Sequence, residues 1–368
     1  MQKKEYSVEI DGKTLSAEFN DWANQASGSV LVRYGNSAVL ATVVMGKESD
    51  KDYFPLSIEY EEKFYAVGAI LGSRFMRREG RPSDEAVLSG RIVDRTIRPL
   101  FPKGLNRDVQ VILTILSLEE YDADVLAVTA ASLAIATSNI PWNGPGSAIR
   151  IGQEEGSDEF IVNPTYKQRD EDGSPRAMID LTACGKDGLI NMIEVGSREV
   201  SEEVLNKALA KASVEIEKIQ TWQQQIISER GVEKFNFIPP FQDDERLAPV
   251  FEEIVGAKLI SYGGKIGKNE INAMKGEWTA LAAARFEDIP ASHLDTYYEH
   301  RMDQYVHDLA IEKGTRVDGR RFDEVRPLFA QAGEVSPVLD GSGLFYRGET
   351  HVLAVATLGG PGASQLID

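Results

Sequence analysis

Seven arginines fall within the thirty residues from Ser73 to Pro102, SRFMRREGRPSDEAVLSGRIVDRTIRPLFP, in a chain whose formal net charge is −18. Guanidinium groups at that density suit an anion, because their planar forks take phosphate oxygens in pairs and keep their charge at any physiological pH. Arg91, Arg95 and Arg98 stand at i, i+4 and i+7, a spacing that puts three cations on one stripe of a helix while Ile92, Val93 and Ile97 turn into apolar packing. Just upstream, Arg74, Phe75, Met76, Arg77 and Arg78 set two apolar side chains among three arginines, closed off by Gly80 and Pro82. A loop of that make-up suits a single-stranded nucleic acid, whose bases stack on an aromatic face while its phosphates meet the guanidinium forks. The same arginines could instead pair with some of the 58 acidic residues at the surface, and composition does not choose between the two.

The element that would position these arginines is a helix. Ser83 is a good N-cap, Asp84 and Glu85 suit the first turn, and Pro99 stops the pattern, so residues 84 to 98 are predicted helical. Residues 5 to 60 read as β structure, with turns at Asp11-Gly12 and Gly35-Asn36. Asp108 to Leu118 is a further strand, and Asp122 to Ser138 an alanine-rich helix suited to close packing on a sheet. A second sheet is expected between Ala148 and Gly196, with a hairpin turn at Lys186-Asp187-Gly188. A long helix follows, capped by Ser201 and ended by Gly231. The stretch PFQDDERLAP breaks the pattern. Beyond it Glu245 to Glu312 reads as several short helices, with Gly263-Gly264 as a connection, since YGGKIGK lacks the spacing of a phosphate-binding Walker loop. The class is α+β, without the regular alternation of a doubly wound parallel sheet.

The remaining composition narrows the function classes. With 42% hydrophobic and 27% charged residues the chain is of globular type, and its length suits two or three domains. An acidic protein is not a general nucleic-acid binder, so a polyanion must be drawn by local charge. Residues 70 to 107 supply it, with nine Lys or Arg against four Asp or Glu. Cys184 is the single cysteine, which excludes an intrachain disulfide and fits a reducing cytoplasm. The longest apolar run, near Val125 to Ala136, is too short to span a bilayer, so no membrane partner is expected. His293, His300, His307 and His351 do not make a metal set.

An internal repeat sets the domain plan. GSVLVRYGNSAVLA at 28 to 41 aligns without gaps to GSGLFYRGETHVLA at 341 to 354, with seven of fourteen positions identical. A hairpin repeated at an offset of 313 residues implies a duplicated domain rather than a solenoid. If the first copy takes about 230 residues, the second has about 55, and its last strand, near Val352 to Leu358, would be unpaired.

The stretch FPLSIEYEEKFYAVGAILGSRFMRREGRPSDEAVLSGRIVDRTIRPLFPKG resembles the first ribonuclease-PH-type domain of the bacterial polynucleotide phosphorylase family. GTRVDGRRFDEVRPL followed by GSGLFYRGETHVLAVATLG resembles the opening of its second. The long motifs RREGRP and RxxDRTIRPLFP carry the likeness, which covers essentially the whole chain. Thr96 departs from it, standing where the family usually has proline.

The resemblance implies a ribonuclease-PH-like (ribosomal protein S5 domain 2-like) domain over 1–231, with subdomains 1–146 and 147–231. An all-α connector over 240–312 and the incomplete start of a second such domain over 313–368 would follow. It implies a 3′-to-5′ exoribonuclease of mRNA degradation that uses inorganic phosphate to release nucleoside diphosphates from single-stranded RNA. A homotrimer with a central channel, Mg²⁺ or Mn²⁺, and contact with a degradosome-type helicase or endoribonuclease come with the family. By carry-over, Arg74, Phe75, Met76, Arg77 and Arg78 would grip the RNA, with Arg91, Arg95, Arg98 and Arg347 on the phosphate or channel side. The catalytic serines and metal-binding aspartates are expected beyond residue 368, with no metal ligand before it. The alternative is a non-catalytic RNA-binding or scaffolding subunit.

Overall fold

The computed structural model describes residues 3–49, 51, 53–70, 80–171, 174–237, 244–262 and 266–364. The chain divides into two compact units, residues 1–239 and 240–368.

The first unit is built on two sheets with a buried helix between them. Strands β1 (Lys4–Ile10), β2 (Lys13–Phe19), β3 (Gly28–Tyr34) and β4 (Ser37–Glu48) form an antiparallel meander. Asp11 and Gly12 both take positive φ, 52° and 74°, the backbone a two-residue hairpin turn requires. β5 (Leu56–Glu62) runs parallel to its neighbour, the one parallel pairing in the sheet. After α1 (Asp84–Ile97) the chain enters β6 (Arg107–Ser117), giving a six-stranded sheet in the order β1-β2-β3-β4-β6-β5. Helix α2 (Ala123–Thr137) is apolar or small on every side, so no solvated face exists and the helix is buried nearly throughout. It packs against β3 and β4 on one side and on the other against β7 (Ser147–Glu154) of the second sheet.

The second sheet continues with β8, a two-residue strand at Ile161–Val162, shorter than the run FIVNPTY suggests. A single-turn α3 (Tyr166–Arg169) and a ribbon of β9 (Asp170–Glu171) and β10 (Ser174–Pro175) lead to β11 (Ala177–Lys186) and β12 (Leu189–Ser197). The order is β12-β11-β7-β8, and Asp187 and Gly188 make the β11–β12 turn at φ 54° and 73°. Cys184 of β11 is buried, which pushes its thiol up to about 12 and leaves it inert. Helix α4 (Glu202–Arg230) begins where Ser201 accepts from the Val204 amide and packs on β7 and β11.

In the second unit, α5 (Leu247–Phe251), a π-turn, α6 (Ala257–Tyr262), α7 (Lys268–Arg285) and α8 (Ala291–Lys313) surround Phe251, Trp278, Tyr297 and Tyr298. Two of these helices are long, not short, and α8 runs to Lys313. The stretch 238–243 and the Gly263-Gly264 connection lie outside the described residues.

Strands β13 (Leu328–Ala332), β14 (Gly341–Arg347) and β15 (Thr350–Ala356) then form a three-stranded antiparallel sheet with β15 at an edge. Its register repeats that of β2-β3-β4. Gly28 faces Val43 and Gly341 faces Ala356, while Leu15 faces Tyr34 and Leu328 faces Arg347. Each of these second pairs is the first displaced by 313 residues, so the repeat extends to a third strand that sequence identity did not reveal.

Candidate nucleic-acid interface

Helix α1 carries the arginines because one of its faces is committed to the core. Ala86, Gly90, Val93 and Ile97 are buried at spacings of four, three and four, the face that packs on β5. Ser83 caps it, its Oγ accepting from the Ala86 amide at 2.9 Å and donating to Glu62 at 2.9 Å. Thr96 is fully buried, its hydroxyl donating to the Ile92 carbonyl at 2.8 Å.

The three arginines of the stripe have different surroundings. Arg91 is exposed and has no partner among the described residues. Arg95 is exposed but 3.4 Å from Glu194 on β12. Arg98 is turned inward, donating to both oxygens of Asp94, at 2.9 and 2.6 Å, and to the carbonyls of Phe54 and Leu56 at 3.1 and 3.2 Å. That pairing ties the end of α1 to the start of β5 and leaves Arg98 little to offer a ligand. Arg74, Phe75, Met76, Arg77 and Arg78 lie outside the described residues. Arg347 sits exposed at the end of β14 in the second unit, opposite Leu328 and Thr350.

Sequence reading missed a charge cluster at the head of α2. Arg150 of β7 pairs with Asp122, with Asp180 of β11 at 2.6 Å and with Asp124 at 3.5 Å. Arg169 pairs with Asp122 at 2.5 Å and Asp180 at 3.1 Å. Burial works against the Arg150 charge, but Asp180, Asp122 and Asp124 outweigh it and raise its pKa. Burial likewise opposes the Asp180 charge, yet Arg150 and Arg169 hold that carboxyl below its ordinary value. Asp124 differs: burial, with the Asp122 charge beside it, pushes its carboxyl up to about 6. The available signal was an arginine inside the apolar run SAIRIG, a place where a cation must find an internal partner.

This cluster does not fit a divalent metal, because its carboxylate oxygens are already taken by two guanidinium groups. Among the described residues no group of three or more His, Cys, Asp or Glu side chains could hold an ion. No described helix is long and apolar enough to cross a membrane.

Residues 11–141 match the 3′ exoribonuclease family, domain 1 (RNase PH), which defines the fold of the first unit as ribonuclease-PH-like. The whole chain aligns with curated enzymes. It is 38% identical over 381 residues to the polyribonucleotide nucleotidyltransferase of Macrococcus caseolyticus, covering 100% of this chain and 52% of that protein. It is 36% identical over 383 residues to the protein of the same name from Halothermothrix orenii, covering 99% and 52%. A solved structure of rice Rrp46 is similar at a TM-score of 0.45 and 16% identity, over 61% of this chain and 94% of that one, a likeness too slight to argue from. The chain is a homologue of the polyribonucleotide nucleotidyltransferase family that fits its N-terminal portion and spans about half the length of the curated relatives it matches.

Proposed function

We propose that this chain supplies the RNA-gripping part of a phosphorolytic 3′-to-5′ exoribonuclease, which releases nucleoside diphosphates from single-stranded RNA with inorganic phosphate in mRNA degradation. The observation that carries the reading is the alignment of the whole chain to about half the length of polyribonucleotide nucleotidyltransferases. The chemistry agrees with it. Phosphorolysis brings an anionic nucleophile to an anionic ester, and cations must neutralise both. Arg91 is exposed and without a partner among the described residues, which supports that task; Arg95 lies 3.4 Å from Glu194, and Arg98 would act by holding α1 against β5. Arg74, Phe75, Met76, Arg77 and Arg78 are the proposed loop contacts, and Arg347 the matching cation in the second domain. We read residues 240–312 as a helical connector and 313–368 as the start of that domain, on the strength of the shared register. A homotrimer, a cytoplasmic location, contact with a helicase or endoribonuclease and a divalent metal, Mg²⁺ or Mn²⁺, belong to the same proposal.

A second reading is a non-catalytic RNA-binding or scaffolding subunit. One assay separates the outcomes. The 368-residue polypeptide is expected to bind a labelled oligoadenylate at low salt, and Arg77→Glu with Arg78→Glu to weaken binding and flatten its salt dependence. Phosphate-dependent release of ADP is expected to be absent or slight. Robust release would place the chemistry within this chain, and failure to bind would remove the proposal.

A further inference from the structure

The charge cluster at the head of α2 sets three carboxylates, Asp122, Asp124 and Asp180, against two guanidinium groups, Arg150 and Arg169. With all five ionised, one negative charge is in excess at a largely buried site, where an uncompensated charge is costly. Asp124 is the carboxylate least provided for. It reaches Arg150 only at 3.5 Å, whereas Asp122 and Asp180 each meet both guanidinium groups. Its other oxygen accepts from the Val125 amide at 2.6 Å.

The groups that face Asp124 from the neighbouring elements leave it as the one that can take up a proton. Tyr60 of β5 and Tyr166 of α3 stay neutral, since burial, ahead of the nearby carboxylates, raises both phenols above their ordinary value. Arg150 of β7 and Arg169 of α3 are cations at any working pH. Asp180 of β11, although buried, is held below its ordinary value by those two arginines. Burial and the Asp122 charge push Asp124 the other way, up to about 6. The first unit contains no histidine, so no imidazole within it titrates in the same range.

Helix α3 lies in an arm that depends on this cluster. Between the buried Val162 and Ala177, Pro164 is the one buried side chain among the described residues, so little apolar burial holds the arm down. Arg169 fastens it to Asp122 and Asp180, at 2.5 and 3.1 Å, and the Tyr166 amide donates to the Glu120 carbonyl at 3.0 Å. Arg169 keeps a buried N–H, at Nε, without an acceptor among the described residues, so even this fastening is incomplete. An ionised Asp124 repels Asp122, the carboxylate that holds Arg169, and competes with it for Arg150. A neutral Asp124 leaves two carboxylates shared by two guanidinium groups, with the charges in balance.

We propose that the cluster is a proton-operated latch: one proton taken from solvent by the Asp124 carboxylate fastens the arm at 163–169 to the core, and its return to solvent loosens the arm. The latch does not depend on the proposed function.

Hydrogen exchange followed by mass spectrometry on the full chain tests it, read as the protection of peptides covering 163–169 at pH 5 and pH 7.5 after correction for intrinsic exchange rates. The parent's arm is expected to be more protected at pH 5, by up to about 10-fold, the ratio that linkage gives for a carboxyl moving between 3.8 and about 6. Asp124→Asn, which fixes the neutral state, is expected to show at both pH values the protection that the parent shows at pH 5. Equal protection of the parent at the two pH values would overturn the latch, and so would a pH dependence that survives in Asp124→Asn. Arg169→Gln is the second variant, for the case in which Asp124→Asn does not fold. Its arm is expected to lose protection at both pH values while peptides of α2 keep theirs. An arm as well protected without Arg169 as with it would show that charge does not hold it, and the latch would fall.

Discussion

The β3–β4 and β14–β15 hairpins carry nearly the same residues in the same register and live in opposite surroundings. Val39 is fully buried and Val352 is 54% exposed, although both lie at the same place in the repeat. The first hairpin has α2 across one face and β6 along its edge, whereas among the described residues β15 pairs with β14 alone. Hairpin formation therefore follows from local chemistry, namely a two-residue turn with a positive-φ glycine, Gly35 at 58° and Gly348 at 60°, between alternating apolar runs. Burial does not. It depends on β6 and α2, which begin 59 and 75 residues after β4 ends.

Substitutions at matched positions can break or sharpen this contrast, with Trp278 reporting the second unit and Trp142 and Trp222 the first. The largest difference is expected at the glycines. A side chain at Gly28 would run into the Ala134 carbonyl and Ser138 Cβ of the covering helix, while one at Gly341 meets only the Ala356 methyl at 3.3 Å. Gly28→Val should destabilise the first unit by about 3 kcal/mol or more in urea unfolding, and Gly341→Val should cost the second far less. Equal costs would mean that α2 yields to the intruding side chain.

The head of that covering helix gives the next effect. The Asp124 carboxyl ionises near pH 3.8 when unfolded and near 6 when folded, so its stabilising contribution is complete below 3.8 and is lost as pH rises through 6. Asp124→Asn should therefore match the parent at pH 4 and exceed it at pH 7.5, by up to about 3 kcal/mol. A variant less stable than the parent at pH 7.5 would show that the ionised form is needed to hold Arg150. The smallest contrast compares identical residues: Val39→Ala should cost about 2 kcal/mol and Val352→Ala under about 0.5. Similar values at the two sites would contradict the burial difference.

Much of the frame was legible in the chain. Ser83, Ser201, Asp11-Gly12 and Asp187-Gly188 mark their caps and turns through hydrogen bonds and φ values set within a few residues. The α2 segment reads as buried because it has no polar face. The charge partnerships were not legible. Arg95 meets Glu194 across 99 positions and Arg150 meets Asp180 across 30, and nothing in the spacing of either names its partner. Arg98 looked like a third exposed cation because helical spacing places its Cα on the stripe. Only the proximity of Phe54 and Leu56 turned its guanidinium group inward.

The sequence by itself determined the α+β class, the helix bearing the arginines and the presence of a duplicated hairpin, since these depend on periodicity, caps and turn chemistry acting over short range. Only the tertiary structure decided which arginines remain available to a ligand and which hairpin is covered. Both depend on what the folded chain brings within a few ångströms, and Coulomb attraction and apolar burial act on distance in space rather than on separation along the chain.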